Sequence, residues 1–456
     1  MVYFLLLLSI IDLGNQTQVW KRVLDQLGVF VPQNTEASQA LGWGKVGSRA
    51  AAAKKVSAAS GIPAHSIAVL LLLPPFCPRL LLDQIICVWM EDFGVGHVGF
   101  ANSSICATKE SPSLHCSCVV DLGWSATNIV PTYKRKPITP EKSIRRLPIG
   151  GRHMVNMLKY YMSYRQYNLM DQEALLKDVF EHLSYLSLDF SNELSLARQT
   201  PLGLRPYDRE FILPDYQSTF KGHTRLPLAM QRKQELMKKE LELQRKKHSN
   251  GGGNNDNEDS SDDDDFADNQ NDDDGKGDEG GESSDDEESP EERRKRILME
   301  REKERQRKME LSEEEQVLSV SLERFTVPEV LFRPFDAGFS PEIVGISRAI
   351  YQSIQGTPEP YRPALYQNIY VTGGLSKLKN FEIRLEQELR TIIPADYKLN
   401  IEMSKTSPIE NAWVGAHEWI QKTPYTQWSV SRDEWISASK RKAYSRLLVS
   451  NGGFFI

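Results

Sequence analysis

Cysteine is scarce and confined. Five residues, Cys77, Cys87, Cys106, Cys116 and Cys118, sit in the first third of a 456-residue chain, and none follows. Their odd number and the lack of a recurring spacing argue against a disulfide framework and for reduced thiols in an intracellular compartment. His115, Cys116 and Cys118 suggest a metal site. No second Cys/His pair at ligand spacing follows, so packing in a strand is the stronger reading. Long apolar runs are also scarce. The run at the amino terminus, MVYFLLLLSIIDLG, has the length of a signal-peptide core, yet it lacks a basic start and a small-residue cleavage site. It is too short to span a bilayer. It reads as a buried strand or an irregular chain start, with a secretory signal as the alternative.

Apolar residues and positive charge are nearly missing from residues 251–290, where 18 Asp or Glu stand against Lys276 alone, a net of -17. Such a segment buries too little to offset chain entropy and is expected to be disordered. The whole chain has a formal net charge of -6, so the remainder carries +11. A basic body with an acidic segment suits partners of both signs, such as DNA and histones, with plain solubility as the alternative.

What is present is the composition of a globular protein, 40% hydrophobic and 26% charged, long enough for two or three domains. Residues 33–62 are Ala, Ser and Gly-rich without an apolar period and read as a mobile insertion. From Ala68, AVLLLLPPF is a buried strand running into prolines, and CPRLLLDQIICVWMEDFG is an amphipathic helix closed at Gly94. Short strands are expected around 95–100 and 116–122. VVDLGWSATNIVP, residues 119–131, is a hairpin in which Asp121, Gly123 and Ser125 mark the turn. Turn amides of this kind form a concave donor surface for an anion, although an ordinary turn explains the motif alone as well. Gly150 and Gly151 precede a helix whose Met154, Met157, Leu158, Tyr161 and Met162 recur at helical spacing, which reads as core rather than a cofactor box.

Residues 228–247 and 291–316 are charged and helix-favouring, and read as solvated helices rather than a coiled coil. ERRKR, residues 292–296, fits a nuclear import signal or a charged helix face. Further on, LERFTVPEVLFRP reads as strand and turn and GISRAIYQSIQ as a helix. NIYVTGGLSKLKNFEIRLEQEL reads as strand, glycine turn and helix, and SPIENAWVGAHEWI as a turn into a final helix. Strands alternating with helices indicate an α/β fold.

The order of these segments resembles the actin family. PPFCPRLLLDQIICVWMEDFG, VVDLGWSATNIVP, RRLPIGGRHMVNMLKYYMSYRQYNLMD, YLSLDF, FILPD, ERFTVPEVLF, IYVTGG and SPIENAWVGAHEW are colinear with it and cover most of residues 68–215 and 317–436. SYRQYNLMD is similar to the nuclear actin-related protein six branch. The resemblance implies the actin-like two-lobed ATPase fold, duplicated ribonuclease-H-like sheets about a nucleotide cleft, with a long disordered acidic insertion. On that frame residues 1–67 form an atypical amino-terminal segment, 68–135 the later part of the small lobe with the start of the cleft hairpin, and 136–227 the first part of the large lobe. Residues 228–316 are charged helices flanking the insertion, 317–436 continue the large lobe, and 400–456 return to the small lobe. FILPD and ERFTVPEVLF would be paired strands, with 216–316 extending from a surface turn. Each doubling of loop length costs only about 0.6 kcal/mol, so the core tolerates such an insertion.

Actins hold ATP with two phosphate hairpins, an adenosine motif at a Gly-Gly turn and polar contacts to the base. The resemblance assigns Asp121 and Gly123 to the second hairpin, with Ser125 where the pattern has a glycine and Trp124 where it has an acid. Gly373 and Gly374 match the adenosine motif. Glu181 matches an adenine or ribose contact, while Phe180 and Ile409 replace lysines. The water-positioning glutamine should fall within ANSS, residues 101–104, where Asn102 is the only amide. No copy of the first hairpin precedes IIDLGNQTQVWKRVLDQL, which implies a lost first strand pair or an incomplete product. A substitute hairpin at IIDLGNQTQ is disfavoured because a helix-like segment follows too soon.

The resemblance therefore implies a non-catalytic subunit with no metal site, holding ATP or ADP at most as a structural ligand. It implies a nuclear place in a Swr-type chromatin-remodelling complex that exchanges a histone variant, bridging the remodelling ATPase subunit, a zinc-finger HIT-type subunit and nucleosomal DNA. Histones are candidate partners of the acidic segment, and no membrane is involved. An ATP-hydrolysing actin-like switch and a cytoskeletal filament former are the alternatives.

Overall fold

The computed structural model describes residues 2–7, 13–30, 62–108, 115–138, 143–214, 220–249, 299, 317–404 and 407–437. The acidic segment 251–290, the ERRKR stretch and all but the last residue of the 33–62 insertion lie outside the described residues. The chain forms two compact units, residues 1–195 with 322–456, and residues 196–321.

The first unit opens on a parallel sheet. The apolar start forms strand β1 (Val2–Leu7), which pairs in parallel with β2 (Ile67–Leu73). Between them lies helix α1 (Leu13–Gln26), so the stretch after Asp12 is helical and not a hairpin. All seven residues of β2 are buried, and alternation sends them to two cores. Val69, Leu71 and Leu73 join Trp20 and Leu24 of α1 and Leu82 and Ile85 of α2 (Arg79–Cys87). The Trp20 and Trp89 rings lie 5.2 Å apart in that core. Ala68, Leu70 and Leu72 face Ala416, Ile420 and Trp428 on the other side. Helix α2 runs on through a π-helical turn, Val88–Asp92, and stops before Gly94, whose φ of +69° suits a residue without a Cβ. The next strand, β3 (His97–Asn102), pairs in parallel with β2 and leads directly into a helical turn, α3 (Ser103–Cys106).

A second sheet in the same unit carries β4 (Cys116–Leu122) and β5 (Thr127–Tyr133), a hairpin with Asp121 opposite Asn128 and Leu122 opposite Thr127. Helix α4 (Gly151–Arg165) follows and buries Met154, Val155, Leu158 and Met162. Two residues expected in that core differ: Met157 is half-buried and Tyr161 is 40% exposed. Helix α5 (Glu173–Leu183) packs beside α4.

In the second unit, β6 (Arg209–Ile212) is the central strand, antiparallel to β7 (His223–Arg225) and β8 (Val317–Val320). The strand partner of FILPD is therefore VLSV and not ERFTVPEVLF. The sheet also takes up residues 223–225, so the excursion begins later than residue 216. Helix α6 (Leu228–Ser249) leaves from that edge, with residues 232–239 exposed, as a solvated helix requires.

Back in the first unit, ERFTVPE forms helix α7 (Glu323–Glu329). Phe, Thr and Val favour a strand locally, but context overrides propensity here. Phe325 and Val327 are fully buried, Glu323 pairs with Arg165, and Glu329 pairs with Arg384 at 2.9 Å. Helix α8 (Ile346–Gln355) follows. Strand β9 (Ile369–Thr372) then pairs in parallel with β4, setting Thr372 beside Asp121. Helix α9 (Phe381–Ile392) and α10 (Asn411–Lys422) complete the sequence-expected elements, with a strand the sequence reading lacked, β10 (Ile401–Met403), between them. The last of these is not final, since helical turns at Tyr425–Trp428 and Arg432–Ser437 flank strand Ser429–Ser431, which closes the first sheet against β3. Among the described residues no helix is long and apolar enough to cross a membrane. None of the five cysteines, all within the described residues, forms a disulfide.

Candidate functional site

The β4–β5 turn, the β9 end and the start of α3 meet around one carboxyl group. Asp121 is the penultimate residue of β4, and Ser104 Oγ donates to its Oδ2 at 3.3 Å. The Asn128 side chain, opposite it in the hairpin register, also hydrogen-bonds Asp121. Burial pushes the Asp121 carboxyl up to about 6, with these two hydrogen bonds pulling the other way. The Oδ1 atom of Asn128 is buried without a partner. The Ser104 and Asn128 side chains favour the charged carboxylate, so burial alone sets the upward direction of the shift.

Asn102 stands at the water-positioning place of the resemblance, but its side chain has another task. Its Oδ1 caps α3, accepting from Ser104 N–H at 2.9 Å and Ile105 N–H at 3.3 Å.

The hairpin turn is bound to α4 through the backbone. Gly123 N–H donates within the turn to Ala126 O at 3.1 Å. Gly123 O accepts from Gly151 N–H at 3.2 Å, and Trp124 O accepts from Arg152 N–H at 2.8 Å. The amides at the start of α4 are thus spent on the hairpin's carbonyls, and Gly150 makes this approach possible. A Cβ there would lie 2.5 Å from Trp124 O and 2.8 Å from Ala126 N. The Trp124 ring covers Gly151, where a Cβ would meet it at 2.8 Å. None of residues 123–126 has a positive φ, so the Cβ of Ser125 introduces no backbone strain.

Trp124 is 38% exposed, and the Lys177 ammonium of α5 lies 5.7 Å from its ring centroid. Lys177 also pairs with Glu181 at 3.7 Å. Glu181 is solvent-exposed and reaches the hairpin through this lysine and the tryptophan, while its neighbour Phe180 is buried in the core.

The other wall is shaped by glycine. Gly373 has φ +95°, and a Cβ on it would lie 2.3 Å from Leu122 O. Its N–H and the Thr372 hydroxyl both donate to Pro408 O, at 3.0 and 2.9 Å. Asn411 Nδ2 donates to Tyr370 Oη at 2.9 Å and also bonds Thr372 and Ser404. Gly374 is exposed, and Ile409 reaches over it, 3.8 Å from where its Cβ would stand.

The fold therefore brings Asp121, Gly123, Ser125, Gly373 and Gly374 to the adjacent ends of β4 and β9 and leaves Glu181 to the side. Sequence reasoning missed Ser104, Asn128, Thr372 and Gly150. Asn128 was within reach: a hairpin with a four-residue turn pairs position 121 with 128. A cavity of about 390 Å³ elsewhere in the unit is lined by Asp189, Arg333, Arg384 and Glu388 among others, and touches none of these residues. Among the described residues no cluster of three or more His, Cys, Asp or Glu could hold a metal ion.

A family model described as Actin matches residues 9–442. Actin-related protein 6 of Oryza sativa subsp. indica is 28% identical over 378 residues, which is 81% of this chain and 75% of that protein. Actin-related protein 6 of Arabidopsis thaliana is 27% identical over 354 residues, 76% of this chain and 69% of its own. Actin-like protein arp6 of Emericella nidulans is 31% identical over 308 residues, 66% of this chain and 49% of its own.

Proposed function

The chain belongs to the actin family, and on that premise we propose that it is a non-catalytic structural subunit of a nuclear, Swr-type chromatin-remodelling complex that exchanges a histone variant. In this role it bridges the remodelling ATPase subunit, a zinc-finger HIT-type subunit and nucleosomal DNA. The relatives that carry the name actin-related protein 6 support the branch.

The observation that carries the non-catalytic reading is the commitment of the hairpin. Phosphoryl transfer depends on positioning and on stabilising charge around the phosphates. Here Gly123 N–H is spent within the turn, the first α4 amides are spent on Gly123 and Trp124 carbonyls, and Asn102 is spent on capping α3. A bulky indole stands where the family pattern has an acid. The Gly373–Gly374 wall fits an adenosine, with glycine backbone and Ile409 beside it. The spent Gly123 and α4 amides, with the Trp124 indole at the turn, leave the hairpin wall poorly suited to a triphosphate. ATP or ADP is accordingly a structural ligand at most.

The +11 charge outside the acidic segment favours phosphate contacts whose affinity falls steeply with salt. The acidic segment is assigned by its charge to histone contact. One observation favours the ATP-regulated switch instead: a carboxyl raised to about 6 in a buried polar corner is a common mark of functional sites. Affinity purification from nuclei tests the subunit reading. It should recover a remodelling ATPase in stoichiometric amount, whereas recovery of the chain alone or with cytoplasmic partners contradicts it.

A further inference from the structure

We propose that the tip of the hairpin made by β5 and the short strand Lys136–Pro137 is a contact surface for the phosphate backbone of double-stranded DNA; this rests on the nucleosomal-DNA part of the function proposed above. Lys134 and Arg135 form the connection between the paired residues Tyr133 and Lys136. Both have a positive φ, +49° and +60°. A two-residue turn with both φ positive matches the twist of its strands, and Asn-Gly is the pair that adopts it without strain. A lysine and an arginine press a Cβ against the backbone there, and strain kept at a surface turn points to a use for the side chains. Among the described residues the other non-glycine residues with a positive φ are Phe76 and Asn380, which stand singly.

The tip is cationic and remains so when its surroundings are counted. Lys134, Arg135 and Lys136 are consecutive, and both lysines are exposed and make no ion pair among the described residues. Arg135 donates to Thr108 O at 3.1 Å, which anchors it at the tip. The elements packed most closely on β5 are β4, α3, α8, the short strand Lys136–Pro137 and the strand Arg145–Leu147. Their one carboxylate, Asp121, lies at the far end of the hairpin, opposite Asn128, whereas Cys116 is the residue opposite Tyr133. In the stretches that adjoin the tip in sequence, Lys109 offsets Glu110 and Lys142 offsets Glu141. Arg362 likewise offsets Glu359 beside Tyr361, so the cations of the tip are left over.

The class of partner follows from what else the tip lacks. A protein segment needs apolar anchors to bury. The large ring here is Tyr133, 39% exposed, with the Tyr361 ring centroid 5.3 Å away and the Lys134 ammonium 5.3 Å from its centroid. The same neighbours crowd the ring that a single strand would use for base stacking. A duplex backbone asks only for cations, and the contact is independent of base sequence.

The test titrates a labelled mixed-sequence DNA duplex with the full-length chain by fluorescence anisotropy, from about 50 to about 200 mM salt. Two variants are compared: Lys134→Asn with Lys136→Thr at the tip, and Lys21→Gln with Arg22→Gln, two exposed cations on α1 of the same unit. The tip variant should melt no lower than the natural chain, since asparagine suits the left-handed position and threonine suits a strand. Its log–log salt slope should be shallower by about 2, so that the rise in salt costs the natural chain about tenfold more affinity than the variant. The α1 variant should keep the natural slope. A natural slope in the tip variant, or an equal flattening in both variants, would overturn this surface while leaving DNA binding by the chain intact. No binding by the natural chain at about 50 mM salt would overturn the nucleosomal-DNA reading and the surface together. Labelled poly-glutamate that loses more affinity than the duplex in the tip variant would overturn the proposal in favour of an acidic polypeptide.

Discussion

Two turns face the same corner of the molecule, and they are held by different means. The Gly373–Gly374 turn is fixed at Gly373 by backbone geometry that only glycine satisfies, with a positive φ and a carbonyl 2.3 Å from where a Cβ would stand. The hairpin turn at 123–126 needs no positive φ and is fixed by its partners, two α4 amides and an indole packed on Gly151. The first kind of turn keeps its shape by forbidding a side chain at Gly373, whose Cβ would run into the Leu122 backbone. The second accepts side chains and has used them, with its backbone, to fasten itself to a helix.

The sharpest way to break this contrast is Gly373→Ala. The methyl meets both a disfavoured φ and an immovable backbone, so a loss of about 3 kcal/mol is expected in denaturant unfolding. A loss below about 1 kcal/mol would show that the turn can be rebuilt without glycine.

Between the two turns lies Asp121. Its folded-state value of about 6 exceeds the usual 3.8, so folding favours the neutral acid. The stability this contributes is full below pH 3.8 and is lost as pH rises through 6. Asp121→Asn should therefore stabilise the protein at pH 7.5 by about 1–2 kcal/mol, less than the full shift gives because the residue keeps some contact with water. At pH 4 the difference should shrink, as melting at the two pH values would reveal. The introduced amide also offers the donor that Asn128 Oδ1 lacks.

Trp124→Ala removes the indole from Gly151 and from the Lys177 ammonium. Because the ring is partly exposed, a cost of about 1 kcal/mol in thermal unfolding is expected. Ser125→Gly should change stability by less than about 0.5 kcal/mol, since no positive φ is relieved. A gain above about 1 kcal/mol would mean that the serine strains the turn and that the hairpin is a damaged copy of the glycine kind.

Much of this was legible in the sequence, and the misses share one cause. The strand at AVLLLL, the helix closed at Gly94, and the strand, glycine turn and helix from Asn368 follow from local pattern, because burial on both faces and left-handed glycines leave clear marks. ERFTVPE was misread because its β-branched and aromatic residues favour a strand. The helix it forms is set by Arg165 and Arg384, which lie 158 and 55 positions away from their glutamates. Within the site, Asp121 and the glycines stand out by type. Ser104, Thr372 and Gly150 do not, since their importance comes from long-range neighbours: β9 beside β4, α3 beneath β4, and α4 against the turn. Trp124 was visible as a departure from the family pattern, but that it covers Gly151 was not.

The central claim is that the hairpin is a structural fastening and no longer a phosphate-handling loop. The most direct test is the amount of nucleotide that the purified full-length chain retains and hydrolyses with Mg²⁺ and excess ATP, compared with its Asp121→Asn variant. The account predicts no turnover above buffer for either protein and the same retained nucleotide in both. Turnover by the natural chain that Asp121→Asn abolishes would contradict it.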